Sequence, residues 1–434
     1  MNLSEKNFNK LFHVFLCLIA IAMIFRKPCS LLIILFGIFN LIYVKKLKFS
    51  KTALILVACI ASPLLLELLF FWNNDSLSKG LKAVEKSTSL LLFPIFIIGN
   101  YQRVKFLKLA ETYCIATTTM ILFFLTRFCM VYPGLVNKYL NGIDLWEMGY
   151  KFAGSIGIHA PALNMHLAFV SICAFYFVFY SFQYKEKSTL KILRIIVFLL
   201  SFFFVLLVNT RMALVNALIG FLIVFIFEIK SRFSIKKIIV TAITTLLVLG
   251  SILFVFIQKN PYMKEKYSSV TFAYMDKVGK LDEIDHPEIY AFNSLATRLS
   301  IWKSAWELSV KNLPFGVGAS DGKPELNKYF KATNQQFLAK YEFPTHNQFL
   351  DFLLKFGFLG PLVVMFYILG IGYLGYDLKN AIIISFFILF FTSNLTDDFL
   401  LRFDGIAFSG FWFSVFSSYW LQQKTILGTN QKAV

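Results

Sequence analysis

The sequence predicts an all-α protein that crosses a membrane about twelve times and carries one long loop on the outer side. Three observations predict it. Of 434 residues, 58% are hydrophobic and only 15% are charged, against about 25% charged in an ordinary soluble domain. The apolar residues fall in long runs, and a spanning helix needs roughly 20 of them. Between 258 and 345 those runs stop, and twelve Lys/Arg mix with ten Asp/Glu in one polar segment. Lipid offers no hydrogen bonds to a bare backbone, so runs of this kind read as helices.

In chain order the candidate spans lie near 11–25, 29–44, 52–72, 88–100, 107–131, 159–182, 190–208, 211–229, 236–257, 349–376, 380–396 and 405–421. The chain then divides into nine spans within 1–257, the polar loop at 258–345, and three spans within 346–434. The first run ends in FRKPCS and leads straight into the next, so it reads as a span and not as a cleavable leader. The six cysteines (Cys17, Cys29, Cys59, Cys114, Cys129, Cys173) all fall in apolar stretches without CxxC spacing. That placement predicts small buried hydrophobes, with neither a zinc site nor a disulfide framework.

The net charge of +19 invites a nucleic-acid partner, but its placement argues against one. With the N-terminus in the cytoplasm, the inner loops carry KKLKFSK at 45–51, Arg103/Lys105/Lys108, Lys185/Lys187/Lys191/Arg194 and Lys230/Arg232/Lys236/Lys237. The outer short loops carry fewer: Arg26/Lys27, Lys79/Lys82/Lys86, Lys138/Lys151, Arg211 and Arg402. This is the positive-inside asymmetry, and it explains much of the excess as topology.

The same topology puts the loop at 258–345 outside. A connection of that length is uncommon unless it is functional or disordered. SLATRLSIWKSAWELSVKNLPFGVGAS places Leu299, Trp302, Trp306 and Val310 at helical spacing before a Pro-Gly turn. We expect an amphipathic helix that lies on the membrane surface or caps the bundle.

Three charged or titratable residues stand out on that outer side. Arg211 interrupts an otherwise apolar stretch at Asn209-Thr210-Arg211. It reads either as a tight turn with a snorkelling arginine or as a costly charge lining a functional cavity. Arg298 opens the loop helix and alone would be an ordinary solvated charge. His346 stands at the mouth of THNQFLDFLLKFGFLG. It is either a helix-end residue, with Thr345 or Asn347 giving the N-cap oxygen, or a group placed to handle a proton. PFGVGASDG lacks the spacing of a phosphate-binding loop and reads as a permissive turn. Glu67 and Arg127 sit inside spans, where polar partners in the bundle would suffice. Asp397, Asp398 and Asp404 read as an outer rim ion-paired with Arg402.

Taken together, these stretches resemble the O-antigen ligase and polymerase superfamily, multi-span enzymes that move bacterial surface glycans from a lipid carrier. NTRMALVNALIGFLI resembles the family's arginine at the outer end of a span. TRLSIWKSAWELSVKNLPFGVGAS resembles its loop motif of Arg, Trp, Pro and Gly-x-Gly, and THNQFLDFLLKFGFLG its His-Asn motif with a closing Gly. The order, spacing and sidedness match over about residues 200–360. GIHAPALNMHLAF is similar to a weaker family segment, with Ala160 separating His159 from Pro161, and it makes His159 and His166 second-tier candidates.

The resemblance implies an inverting, metal-independent glycosyltransferase of the inner membrane with its active site on the periplasmic face. The donor would be a glycan on undecaprenyl pyrophosphate, and the partners a glycan or lipid A–core acceptor and membrane lipid, without nucleic acid or cofactor. His346 would be the general base, with Arg211 and Arg298 binding the pyrophosphate. Trp302, Gly316, Gly318, Asn347 and His159 would be secondary substrate contacts. The residue chemistry agrees: guanidinium forks suit a charged pyrophosphate leaving group, and imidazole suits an acceptor hydroxyl. No DxD or His/Asp/Glu cluster with ligand spacing stands beside these residues in the sequence. Ligation onto lipid A–core, polymerisation of repeat units and transfer to protein hydroxyls share one mechanism, and ligation is the expectation. A transporter or flippase of the same lipids is the competing class. It would require an internal repeat and charges in the middle of several spans.

Overall fold

The computed structural model describes residues 4–229, 251, 272–292 and 294–432. Among the described residues there is no strand, and the all-α expectation holds. The basic stretch from Lys230 to Lys237, the run at 236–257 and the opening of the polar loop to 271 lie outside the described residues, Ser251 apart.

The helices that position the site follow in chain order. The first are α1 (Glu5–Ala22), α2 (Arg26–Leu41), α3 (Lys51–Leu69) and α4 (Leu77–Ser87). Next come α5 (Phe106–Val131), α6 (Leu145–Ile156), α7 (Ala160–Gln183), α8 (Ser188–Val208) and α9 (Arg211–Ile229). The polar loop supplies α10 (Leu295–Lys311) and α11 (Gly322–Ala332). The chain closes with α12 (Gln348–Phe356), α13 (Leu359–Leu378), α14 (Ala381–Thr396) and α15 (Phe403–Lys432). Six described helices are long and apolar enough to cross a membrane: α3, α5, α7, α8, α9 and α13. The shorter α14 is also apolar.

Helix α7 lies at the centre, packed against α5, α8, α9 and α14. Its neighbours meet it through aromatic rings: Phe169 lies 5.1 Å from Trp412 and 4.9 Å from Phe386, and Tyr113 lies 5.2 Å from Trp412. Edge-to-face rings at such distances gain from their quadrupoles as well as from dispersion. Lipid removes the hydrophobic drive between helices, so this packing has to hold them together.

The charged loops separate to two ends. Lys45, Lys46, Lys48, Arg103, Lys105 and Lys108 line one cavity, and Arg26, Lys79, Lys82, Lys86 and Arg402 line another. This is the same alternation that the positive-inside count assigns to opposite faces.

One expectation needs correction. The run at 349–376 is not one span. Gly357 (φ +58) breaks it, and only glycine fits there, since a Cβ would lie 1.7 Å from the Pro314 carbonyl oxygen. The short helix α12 is thereby freed to join the loop to the bundle. The loop helix α10 forms within the expected stretch and packs on α12. Ala296, Thr297, Ser300, Ile301, Ser304 and Ala305 are buried, while Trp306 is 56% exposed. Small residues let α10 approach α12 closely, so its bulky stripe turns outward. The rest of the described loop folds as a cap with its own core, including Leu281, Ala305, Phe330 and Phe337 together with Leu354 of α12.

Candidate active site

His346 is placed by the start of α12. Asn347 caps that helix, its Oδ1 accepting from the backbone N–H of Phe349 (3.0 Å) and Leu350 (3.1 Å). Its amide donates to the Leu395 carbonyl at 3.2 Å, which ties α12 to the end of α14. Asn347 thus does the capping work, leaving the neighbouring ring available. His346 has φ +47, a left-handed conformation uncommon outside glycine. Such strain persists only where its surroundings hold it in place.

The end of α14 supplies what holds the ring. His346 Nδ1 lies 3.4 Å from Asp397 Oδ1. With the proton on Nδ1 the ring donates to that carboxylate, and Nε2 presents a lone pair. The side chain keeps 22% of its surface exposed, enough for a substrate to reach. Burial works to raise the pKa of Asp397, but the His346 contact and the Arg402 charge outweigh it and hold the carboxyl well below its usual range. Next to it, burial and then the charge of Asp397 push Asp398 well above the ordinary value. These shifts favour the charge on Asp397 and the proton on Asp398. Arg402 Nε lies 3.7 Å from Asp398 Oδ1, and Arg402 Nη1 lies 3.1 Å from Nδ1 of His159. The rim expected around Arg402 is present for Asp398, whereas Asp397 turns to His346.

The arginines approach the same ground. Arg298 reaches from α10 to donate through Nη1 to the Thr396 carbonyl, one residue before Asp397. Burial pushes its pKa down, and Asp397 and Tyr150 oppose the shift; it remains a cation. Its charge is also felt by Arg211 at the start of α9. Arg211 follows a two-residue turn in which Asn209 (φ +53) ends α8 and Thr210 accepts from Asn164 at 2.9 Å. Tyr150 of α6 interacts with Arg298, Arg211 and Asp397 together. His159 feels Arg402, Asp397 and His346. Arg211, Arg298, His346 and His159 therefore share one electrostatic neighbourhood.

The remaining sequence candidates have other surroundings. Trp302 packs against the core of the cap. Gly316 (φ +75) and Gly318 (φ +102) let the turn dock on α12, with Val317 N–H donating to the Leu354 carbonyl and Gly318 N–H to that of Lys355. A Cβ on Gly318 would stand 2.3 Å from the Asn73 carbonyl oxygen. His166 is buried in the bundle, its Nδ1 3.5 Å from the Tyr113 hydroxyl.

The three-dimensional arrangement brings together residues that the sequence keeps apart. A His/Asp/Glu cluster does stand here: ligand atoms of His346, Asp397 and Asp398 lie within 4.8 Å of one another. The sequence conceals it, because 51 residues separate His346 from Asp397. Its donors, one nitrogen and two carboxylates, are a set that divalent ions accept. Arg402 beside Asp398 supplies fixed positive charge to the same spot.

Residues 196–365 match the family model described as O-antigen ligase. The match supports a place in the O-antigen ligase and polymerase superfamily for this part of the chain. The ligase-family match spans Arg211, Arg298 and His346 and stops short of Asp397. No curated protein matches the chain. A multi-pass membrane protein of glycosyltransferase type fits both the match and the apolar helices.

Proposed function

We propose that the protein is an inverting glycosyltransferase of the bacterial inner membrane. It would move a glycan from undecaprenyl pyrophosphate to an acceptor hydroxyl on the periplasmic face, and as a ligase its acceptor is lipid A–core. The acceptor oxygen attacks the anomeric carbon from the side opposite the pyrophosphate. Its proton passes to His346 Nε2, the bond from the anomeric carbon to the phosphate oxygen breaks, and the pyrophosphate leaves with the electron pair. Inversion follows from the single displacement. Asp397 positions the ring and stabilises the imidazolium that forms. Arg298 and Arg211 neutralise the charge that grows on the leaving group, and they do so best where water is excluded.

One observation carries the reading. A histidine in a strained backbone conformation has one nitrogen on a carboxylate and the other without a partner among the described residues. Arg298 is fastened to the residue just before that carboxylate. A base and a leaving-group cation held by one turn are what a metal-independent displacement needs.

The test is transfer by the purified enzyme from a pyrophosphate-linked glycan to lipid A–core. His346→Ala is expected to abolish transfer while donor binding persists. Full transfer by that variant overturns the mechanism.

A further inference from the structure

Beside the site lies a second cavity of about 610 Å³ whose charge the chemistry above does not use. Lys79, Lys82 and Lys86 project from α4 at i, i+3 and i+7, one face of the helix, and Arg26 joins them from the start of α2. Lys323, Lys355 and Arg402 complete seven cations against three carboxylates, Glu67, Asp351 and Asp404. Asp351 is already taken by Lys355 at 2.6 Å. Arg26 and the three lysines of α4 form no ion pair among the described residues. Burial, and then the charges of Lys355 and Arg26, depress the pKa of Lys86, and the opposing charge of Glu67 does not outweigh them.

Three further facts describe the anion that such a cavity would take. These cations lie at the end of the bundle that the charge count makes the outer face, where lysines run against the positive-inside bias. Leu77 and Leu81, on another side of α4, are 68% and 55% exposed, which suits a helix lying at the lipid interface. A helix so placed would put the cavity at headgroup depth. It is also continuous with the catalytic end. Pro344 and Thr345 line it just before His346, and Arg402 reaches from its wall to Asp398. Its volume falls in the range of about 300–1,000 Å³ that takes a ligand larger than a lone phosphate.

The segment before α4 is built to hold it there. Asn73 donates to the Gly316 carbonyl (3.0 Å), Asp75 N–H to Asp321 (2.9 Å), and Asn74 accepts from Ser320 N–H (2.9 Å). The Gly-x-Gly turn therefore serves as the clasp of α4.

We propose that this cavity binds the anionic, phosphate-bearing, membrane-proximal headgroup of the acceptor and so presents the acceptor hydroxyl to His346. The inference rests on the transferase reading above. Arg211 and Arg298 already serve the donor, and an acceptor anchored in the same leaflet arrives with its headgroup at this depth.

The experiment uses the full chain in nanodiscs of zwitterionic lipid, with the variant K79Q/K82Q/K86Q and its charge-keeping counterpart K79R/K82R/K86R. Binding of a bisphosphorylated acceptor glycolipid is read directly, beside the same glycolipid treated with phosphatase. The glutamine variant is expected to weaken binding of the phosphorylated form about tenfold or more, with the arginine variant near wild type. The phosphatase-treated form should bind all three proteins alike. In transfer assays the loss should appear in KM for the acceptor, with kcat and KM for the donor unchanged. Equal binding of the phosphorylated glycolipid by glutamine variant and wild type overturns the proposal. So does displacement by phosphatidylglycerol at the same concentration as by the glycolipid, which would mark an ordinary phospholipid site. A binding difference without transfer to any acceptor would leave the cavity standing as an anionic-glycolipid site and overturn the transferase reading on which its acceptor role rests.

Discussion

Two histidines, 180 residues apart in sequence, show how differently the two regions of this molecule treat the same side chain. His166 lies in the aromatic interior, its ring 4.1 Å from that of Phe408, and Nε2 is buried without a hydrogen bond. Its polar neighbour is a neutral tyrosine hydroxyl. His346 lies at the polar end, half-buried, on an anionic carboxylate and with cations nearby. In the first region the imidazole fills space. In the second it has a carboxylate partner and an opening through which a substrate can reach it. The difference is made by the ends of α10, α12 and α14, and not by the histidine.

The largest effect that could break this comparison comes from exchanging the two roles. His346→Ala is expected to lower kcat by about 10²–10⁴, the usual share of a positioned base. His166→Phe should leave kcat within a few-fold, because an aromatic ring of similar width keeps the contact with Phe408. Equal losses from the two variants would put His346 back among the structural residues. The cations come next. Arg298→Ala, or Arg211→Lys, which keeps charge but loses the bidentate fork, should cost about 10²–10³ in kcat. Membrane insertion should remain normal, and steady-state kinetics with measured protein levels checks both. A variant that binds and turns over donor like the wild type would remove that arginine from the leaving-group role.

A smaller effect sharpens the comparison by asking what Asp397 contributes. Asp397→Asn keeps the hydrogen-bonding shape but removes the anion held low beside the ring. About a tenfold fall in kcat/KM is expected for a lost charge-assisted contact. An unchanged kcat/KM in Asp397→Asn would mean that Asp397 does not position the base.

How much of this was legible in the sequence depended on how local the signal is. Arg211, Arg298 and His346 each break an apolar or amphipathic pattern, so each is visible within its own stretch, and the family match covers all three. Asp397 was visible only as one of two adjacent acids after an apolar run. Nothing in a linear reading says that α14 ends against the start of α12. The face by which α10 packs on α12 was not legible, because its close contacts use Ala, Ser and Thr while the hydrophobic stripe is what a linear reading sees. The Gly-x-Gly turn was readable as a turn. What it approaches, the segment at 73–75, lies more than 240 residues away.

The smallest expected effect concerns Asp398, and it divides two accounts of the same cluster. In one, His346, Asp397 and Asp398 hold a divalent ion; in the other, Asp398 holds a proton and the positive charge comes from arginine. Burial and the neighbouring carboxylate favour the protonated form, and a protonated carboxyl is a poor ligand. Arg402 also stands 3.7 Å from Asp398 Oδ1, where it repels an arriving cation. EDTA should therefore leave the transfer rate unchanged. Asp398→Asn, which replaces one neutral group by another of the same shape, should cost less than about threefold in kcat, or roughly 0.7 kcal/mol in the barrier. If EDTA stops transfer and Mg²⁺ or Mn²⁺ restores it, the cluster is a metal centre, His346 is a ligand, and a different group must take the acceptor's proton.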